Sequence, residues 1–362
     1  SNLGQEEARK RAKAILGDMS KGIDPNEVKA EQRARWLTLH QLYEEFKQSR
    51  KGLKAKTLYD YERLMLTCFD GWRNRPVREI TPAMIERKHA DMGKSSPALA
   101  NLAMRFLRAV LNYGTACTLE NGKPLLQANP VTVLSAKKAW FRIKPRSSYI
   151  KPTDLADWWK AVGALENVTL RDYLQLAILT GLRRSEAERL QWANVDLKAR
   201  TLTVPDTKNH RDHTLPLSDY LLDMLNRRKA EADKHHAEAL KKRRDAVQCP
   251  YVFPGTGTTG HLVEPKRQIG NVTESSGIAF TIHDLRRTFA SIVNSLDKTL
   301  SYYTIKRLLN HAINGDVTAN YIQHDVEQLR AGMQAVTAFV LKAAGKIDTA
   351  SVKTIKRAHA GK

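Results

Sequence analysis

The sequence predicts a mainly α-helical protein with a small β-sheet (α+β), built as two domains joined by a basic connector. Three observations lead there. The 362 residues allow two or three domains with a sizeable core. Apolar residues at 42% and charged residues at 27% describe a globular chain, not a disordered basic tail. Apolar side chains recur at helical spacing nearly throughout and alternate only near residues 201–217.

The chain begins Ser-Asn without Met, so further residues are expected upstream. Residues 5–16 (QEEARKRAKAIL) read as a charged helix, followed by the turn Gly22-Ile23-Asp24-Pro25 and a basic stretch to Arg35. This first segment, 1–35, is either a linker helix or a frayed, solvated one. Over residues 36–135 the pattern is helical, with Leu39, Leu42, Tyr43 and Phe46 on one face, then Leu58, Tyr61, Leu64 and Met65 on the next. Pro82 and Pro97 stand where helices can begin. The last helix, Ala98 to Ala116, is expected to bury Leu102, Phe106, Val110 and Leu111. Asn101, Arg105 and Arg108 then form a face that either reads base edges or is merely solvated. Residues 136–151 are basic and contain Pro145, and they read as an interdomain linker. Its Lys144 and Arg146 either follow a DNA backbone or face water.

The second domain, 152–344, opens with a helix after Pro152, capped by Thr153 and burying Leu155, Trp158, Trp159 and Val162. An apolar helix, Tyr173 to Leu179, runs into Thr180-Gly181. Thr201 to Val204 and His213 to Leu217 alternate as strands, joined by a turn over Asp206 to Asp212. Ser218 is expected to cap a helix whose continuation, Arg227 to Arg244, is a solvated charged stretch. Its His235-His236 pair is adjacent and so off one helix face, which argues against metal ligation. A basic tail, 345–362, closes the chain.

Lys and Arg number 60 against 38 Asp and Glu, a formal net charge of +22, which points to a polyanionic partner, nucleic acid above all. No apolar run of 18 residues and no secretion signal is present, so neither a membrane span nor export is expected. The three cysteines lie far apart in no paired motif, which fits a reduced, cytoplasmic setting and supports neither zinc nor a disulfide framework.

Four segments combine cations with groups able to move protons. In Thr180-Gly181-Leu182-Arg183-Arg184-Ser185-Glu186 a Gly enters a helix whose first Arg lies near the positive N-terminus, and Glu186 shares its face with Arg183. A phosphate site or a capped helix with a surface ion pair both satisfy it. Lys208 stands in the hairpin turn, either a proton donor or an exposed lysine. In His283-Asp284-Leu285-Arg286-Arg287, His283 and Arg286 are three apart at a helix start and suit an oxyanion, unless the His is only a cap. Leu308-Leu309-Asn310-His311 and Thr318-Ala319-Asn320-Tyr321-Ile322 place a His and a Tyr about a Gly315 turn, either nucleophile and helper or packed core.

In this order and spacing, TGLRRSEAERLQW, the hairpin Lys, HDLRRTFAS, LLNHA and TANYIQHD resemble the tyrosine recombinase (phage integrase) family, over roughly Trp36 to Ala344. AKTLYDYERLM followed by VREITPAMIE is similar to the family's core-binding domain, and residues 5–30 to the end of an arm-binding domain. The resemblance implies a helical core-binding domain and a catalytic domain forming a clamp on duplex DNA. It implies that Arg183, Arg286 and His311 hold the scissile phosphate, that Lys208 protonates the leaving 5′ oxygen and that His283 assists proton transfer. Glu186 would buttress Arg183, and Tyr321 would attack phosphorus. It further implies no metal or other cofactor, a homotetramer on attachment sites, a host DNA-bending protein and excision factor as partners, and a nucleoid-associated location. Asn310 stands where Gly is common in the family, and Asn tolerates the left-handed turn. A type IB topoisomerase and a non-catalytic DNA-binding protein are the alternative readings.

Overall fold

The computed structural model describes residues 4–22, 24–119, 122–207, 212–243, 245–263, 265–296, 300–310 and 326–347. Lys208, His311 and Tyr321 therefore lie outside the described residues. The chain divides into two compact units, Ser1–Pro145 and Arg146–Lys362.

In the first unit, helices α1 (Gln5–Met19) and α2 (Pro25–Trp36) precede α3 (Leu39–Ser49), α4 (Ala55–Cys68), α5 (Pro82–Ser95), α6 (Pro97–Ala116) and the short α7 (Thr132–Ala136). Local chemistry sets the starts. Thr38 and Gln41 form a reciprocal capping box on α3, and Thr81 and Ser96 cap α5 and α6, each with Pro at the first helical position. Leu39, Leu42, Tyr43 and Phe46 of α3 join Leu64 and Met65 of α4 and Phe106, Leu107, Val110 and Leu111 of α6 in one core. Tyr43 meets Phe106 edge-on at 5.6 Å.

Two expectations for α6 need correction. Leu102 is 46% exposed and Asn101 only 3%. The helix packs against α5 as well as α3 and α4, so its buried arc is wide. Between its two ends the exposed positions are Leu99, Leu102, Arg105, Arg108 and Asn112. Asn101 instead receives the Phe141 N–H on Oδ1 (3.2 Å), donates Nδ2 to the Phe141 carbonyl (2.8 Å) and contacts His89 Nε2 (3.0 Å). Phe141 stacks on His89 at 4.5 Å and lies over Gly93, where a Cβ would fall 2.0 Å from its ring. The first part of the 136–151 connector is thus built into the first unit.

The second unit comprises α8 (Leu155–Gly163), α9 (Val168–Thr180), α10 (Arg184–Glu188), strands β1 (Val195–Asp196), β2 (Thr201–Val204) and β3 (His213–Pro216), α11 (Asp219–Lys242), α12 (Lys266–Ser276), α13 (Ile282–Ser295), α14 (Tyr302–Leu308) and α15 (Val326–Ala343). The sheet is antiparallel in the order β1-β2-β3, with Leu202 opposite both Val195 and Leu215 and Val204 opposite His213. From Leu170 to Thr180, α9 is buried at every position but Arg171, which makes it the central helix, packed by α13 and α15. The α15 helix buries Leu329, Met333, Val336, Val340 and Leu341 in its own unit. Among the described residues no helix is long and apolar enough to cross a membrane.

Hydroxyls placed by sequence as caps have other partners. Thr153 lies in a 3₁₀ turn and donates to Asp154, and α8 starts at Leu155 with no side-chain cap. Ser218 is fully buried and its Oγ accepts from Thr337 of α15 at 2.9 Å. The charged run of α11 is not wholly solvated either: Arg228 is 5% exposed. It reaches Asp172 Oδ2 (3.2 Å) and the Val252 carbonyl (2.8 Å), while Arg227 spans both oxygens of Asp172 at 3.0 Å. A fully buried carboxylate needs such partners, and α11 supplies them to Asp172 of α9.

Candidate active site

The site forms where α9 ends. Gly181 terminates α9 with φ +62°, and a Cβ there would lie 2.3 Å from the Phe289 ring of α13, so the chain turns here only because the side chain is missing. Arg183 follows directly. Its backbone N–H donates to Glu186 Oε2 (2.8 Å) and its Nη1 to Glu186 Oε1 (2.8 Å). One carboxylate therefore caps α10 and aims the guanidinium, leaving Arg183 26% exposed and Glu186 9%.

Arg286 comes from α13, which is started by a capping box between Thr281 and Asp284. Its Nη1 donates to the Gly181 carbonyl and its Nη2 to the Leu309 carbonyl, both at 2.6 Å. One guanidinium thus ties the end of α9 to the end of α14, two residues before His311. Burial lowers the pKa of Arg286, the Arg183 charge acts in the same direction, and Glu186 opposes both. Glu186 is bonded to Arg183 and acts on Arg286 through its charge alone, so two guanidiniums lie near one carboxylate.

His283 stands one residue inside α13. Burial lowers its pKa, and Arg287 and Arg286 add to that against Asp284, which favours the uncharged ring. The structure brings Arg183, Glu186, His283 and Arg286 to one locus. Arg105 and Arg108 are exposed on the first unit, Lys144 and Arg146 on the connector, and Asn101 is interior. Asn310 adopts the left-handed conformation with φ +49°.

His213, Asp284 and Ser148 were not singled out by the sequence. His213, at the start of β3, is 8% exposed, and its pKa is pushed down to about 4 by burial, with Glu186 opposing and Arg286 and Arg183 assisting. Strand alternation would have placed it inward with Leu215. The signature Thr-x-x-Asp at 281–284 marks Asp284 as a cap. Ser148 carries no local signal.

Residues 156–328 match the phage integrase family. The chain is 23% identical to prophage integrase IntF of Escherichia coli K12, over 94% of this chain and 78% of that protein. It is 26% identical to tyrosine recombinase XerA of Pyrococcus furiosus, over 47% of this chain and 58% of that one. The Tn1549 transposon integrase in complex with circular intermediate DNA superposes with a TM-score of 0.57 at 16% identity, covering 82% of this chain and 99% of that one. A lambda integrase tetramer bound to a Holliday junction gives 0.57 at 18% identity, covering 87% and 90%.

Proposed function

We propose that this protein is a site-specific DNA recombinase that cuts and rejoins duplex DNA through a 3′-phosphotyrosyl bond, integrating or excising a mobile element. The observation that carries the reading is the pair of neighbouring guanidiniums, Arg183 held by Glu186 and Arg286 held by the Gly181 and Leu309 carbonyls, within the segment that matches the phage integrase family. Two guanidiniums with one counter-ion stabilise the two non-bridging oxygens of a phosphodiester as charge builds on them. His311 adds a hydrogen bond there.

The step is balanced as follows. The Tyr321 phenol oxygen attacks phosphorus, its proton passing to neutral His283, and the bond from phosphorus to the 5′ oxygen breaks as the Lys208 ammonium supplies a proton to that oxygen. The phosphotyrosyl link keeps the phosphodiester's energy, and a 5′-hydroxyl from the exchanging strand reverses the step. The reaction therefore calls for no ATP. Four copies would act on two attachment sites, in keeping with the lambda integrase tetramer, with a host DNA-bending protein and an excision factor setting direction. Arg105, Arg108, Lys144 and Arg146 would lie against the backbone of the duplex.

The test uses a nicked duplex bearing the sequence that the purified protein enriches from a random pool. Tyr321→Phe is expected to bind it with unchanged Kd and to form no covalent adduct on denaturing gels. An undiminished adduct refutes the nucleophile.

A further inference from the structure

The connector ends on the helix that carries His283 and Arg286. Ser148 Oγ donates to Asp284 Oδ1 at 2.8 Å, and the Ile150 N–H donates to Thr288 Oγ1 at 2.9 Å. Thr288 in turn donates to the Asp284 carbonyl at 2.8 Å. Alternate residues of an extended segment thus grip one turn of α13 at two points.

Asp284 itself is 3% exposed. Its Oδ2 accepts from the Thr281 N–H (2.9 Å) and hydroxyl (2.7 Å), and its Oδ1 from Ser148 and from Arg287 Nη1 (2.9 Å). Four donors fill the four lone-pair positions of the carboxylate. The helix cap needs only Oδ2, so the Ser148 bond is surplus to capping. Asp284 lies between His283 and Arg286, and a carboxylate held from four directions holds the turn from which both project.

Upstream, the same connector is seated by Phe141 on Asn101 and His89. Residues 142–147 between these anchors are all exposed. The segment is therefore a short tether with two built ends, the second of them on catalytic machinery.

We propose that residues 148–150 form a strap across the start of α13 and that Ser148 is a positioning residue for His283 and Arg286, fixing their geometry for the cleavage step. This rests on the roles given to those two residues above.

The experiment measures single-turnover adduct formation on the enriched nicked duplex at saturating DNA, beside Kd, for Ser148→Ala and Ser148→Thr. Ser148 is exposed, so neither variant threatens folding, and circular dichroism checks this. Ser148→Ala is expected to form adduct five to ten times more slowly with Kd within twofold of wild type, as about 1 kcal/mol of lost positioning gives. Ser148→Thr, which keeps the hydroxyl, is expected within twofold of the wild-type rate. An unchanged rate in Ser148→Ala, a loss confined to Kd, or a loss that Thr does not recover overturns the strap. Tyr321→Phe runs alongside: an adduct from that variant overturns the functional reading itself, whereas no adduct there with full activity in Ser148→Ala overturns the strap alone.

Discussion

At the scale of single residues, one absent side chain and one protonation state have measurable consequences. Gly181 has φ +62° and faces the Phe289 ring, so Gly181→Ala meets both a backbone penalty and a clash at 2.3 Å. Overpacking costs about 1–3 kcal/mol and the left-handed turn about 1–2 more, so we expect a loss of about 2–5 kcal/mol by urea unfolding. Because Arg286 bonds the Gly181 carbonyl, adduct formation should fall with it even where the variant is fully folded. His213 gives a pH dependence with a definite sign. Its folded pKa of about 4 lies below the unfolded value near 6.5, so the unfolded chain binds the proton first. Stability contributed by the neutral ring is complete above pH 6.5 and is lost as pH falls from 6.5 towards 4, to a total of roughly 3 kcal/mol. His213→Gln should flatten that part of the stability profile, and denaturant midpoints at pH 7 and pH 4.5 for both proteins measure it. Arg183, Glu186, His283 and Arg286 were legible in the sequence because charged residues at a helix start have few places to point. His213 was not, since a lone strand histidine reveals the charges around it only after β3 is paired with β2 and covered by α15.

At the scale of elements, regular patterning was legible and partner choice was not. The strands at 201–204 and 213–216 follow directly from alternation, and α13 from its apolar stripe Phe289, Ile292 and Val293. The face of α6 did not, because a helix covered on two sides leaves a narrow exposed stripe, and the apolar Leu102 sits on it while the polar Asn101 is inside. Thr153 and Ser218 satisfy the composition rule for caps but spend their hydroxyls on Asp154 and Thr337. The helix α15 is an element whose placement has a measurable consequence. Met333 is fully buried within its own unit, and Arg330 of the same helix donates to the carbonyls of Ala199, Arg200 and Leu217, riveting α15 to the sheet. Met333→Ala should therefore cost about 2–5 kcal/mol. Since the contact is within one chain, the drop in Tm should be the same at low and high protein concentration. A drop that vanishes on dilution would place the helix on a neighbouring copy.

At the scale of the whole molecule, the surplus of +22 and the short tether determine how two units can hold one polymer of phosphates. Charge alone gives salt-sensitive attraction: each phosphate neutralised contributes about −0.9 to the slope of log K against log salt. Arg105 and Arg108 are exposed one turn apart on α6, and if both meet phosphates, replacing both with Gln should make that slope shallower by about 2 for any DNA sequence. The tether determines what the second unit gains once the first is bound. Its six exposed residues, 142–147, reach at most about 20 Å, so the free unit stays at high effective concentration beside the duplex. Inserting about twelve Gly and Ser residues after Lys144 triples the tether, and scaling as the −3/2 power of length lowers that concentration about fivefold. Kd for the enriched duplex should weaken by the same factor, while the anchors at Phe141 and Ser148 stay intact and the cleavage rate at saturating DNA stays near wild type. Tighter binding in the lengthened protein would show instead that the native tether is taut on DNA, with the units held short of their best separation.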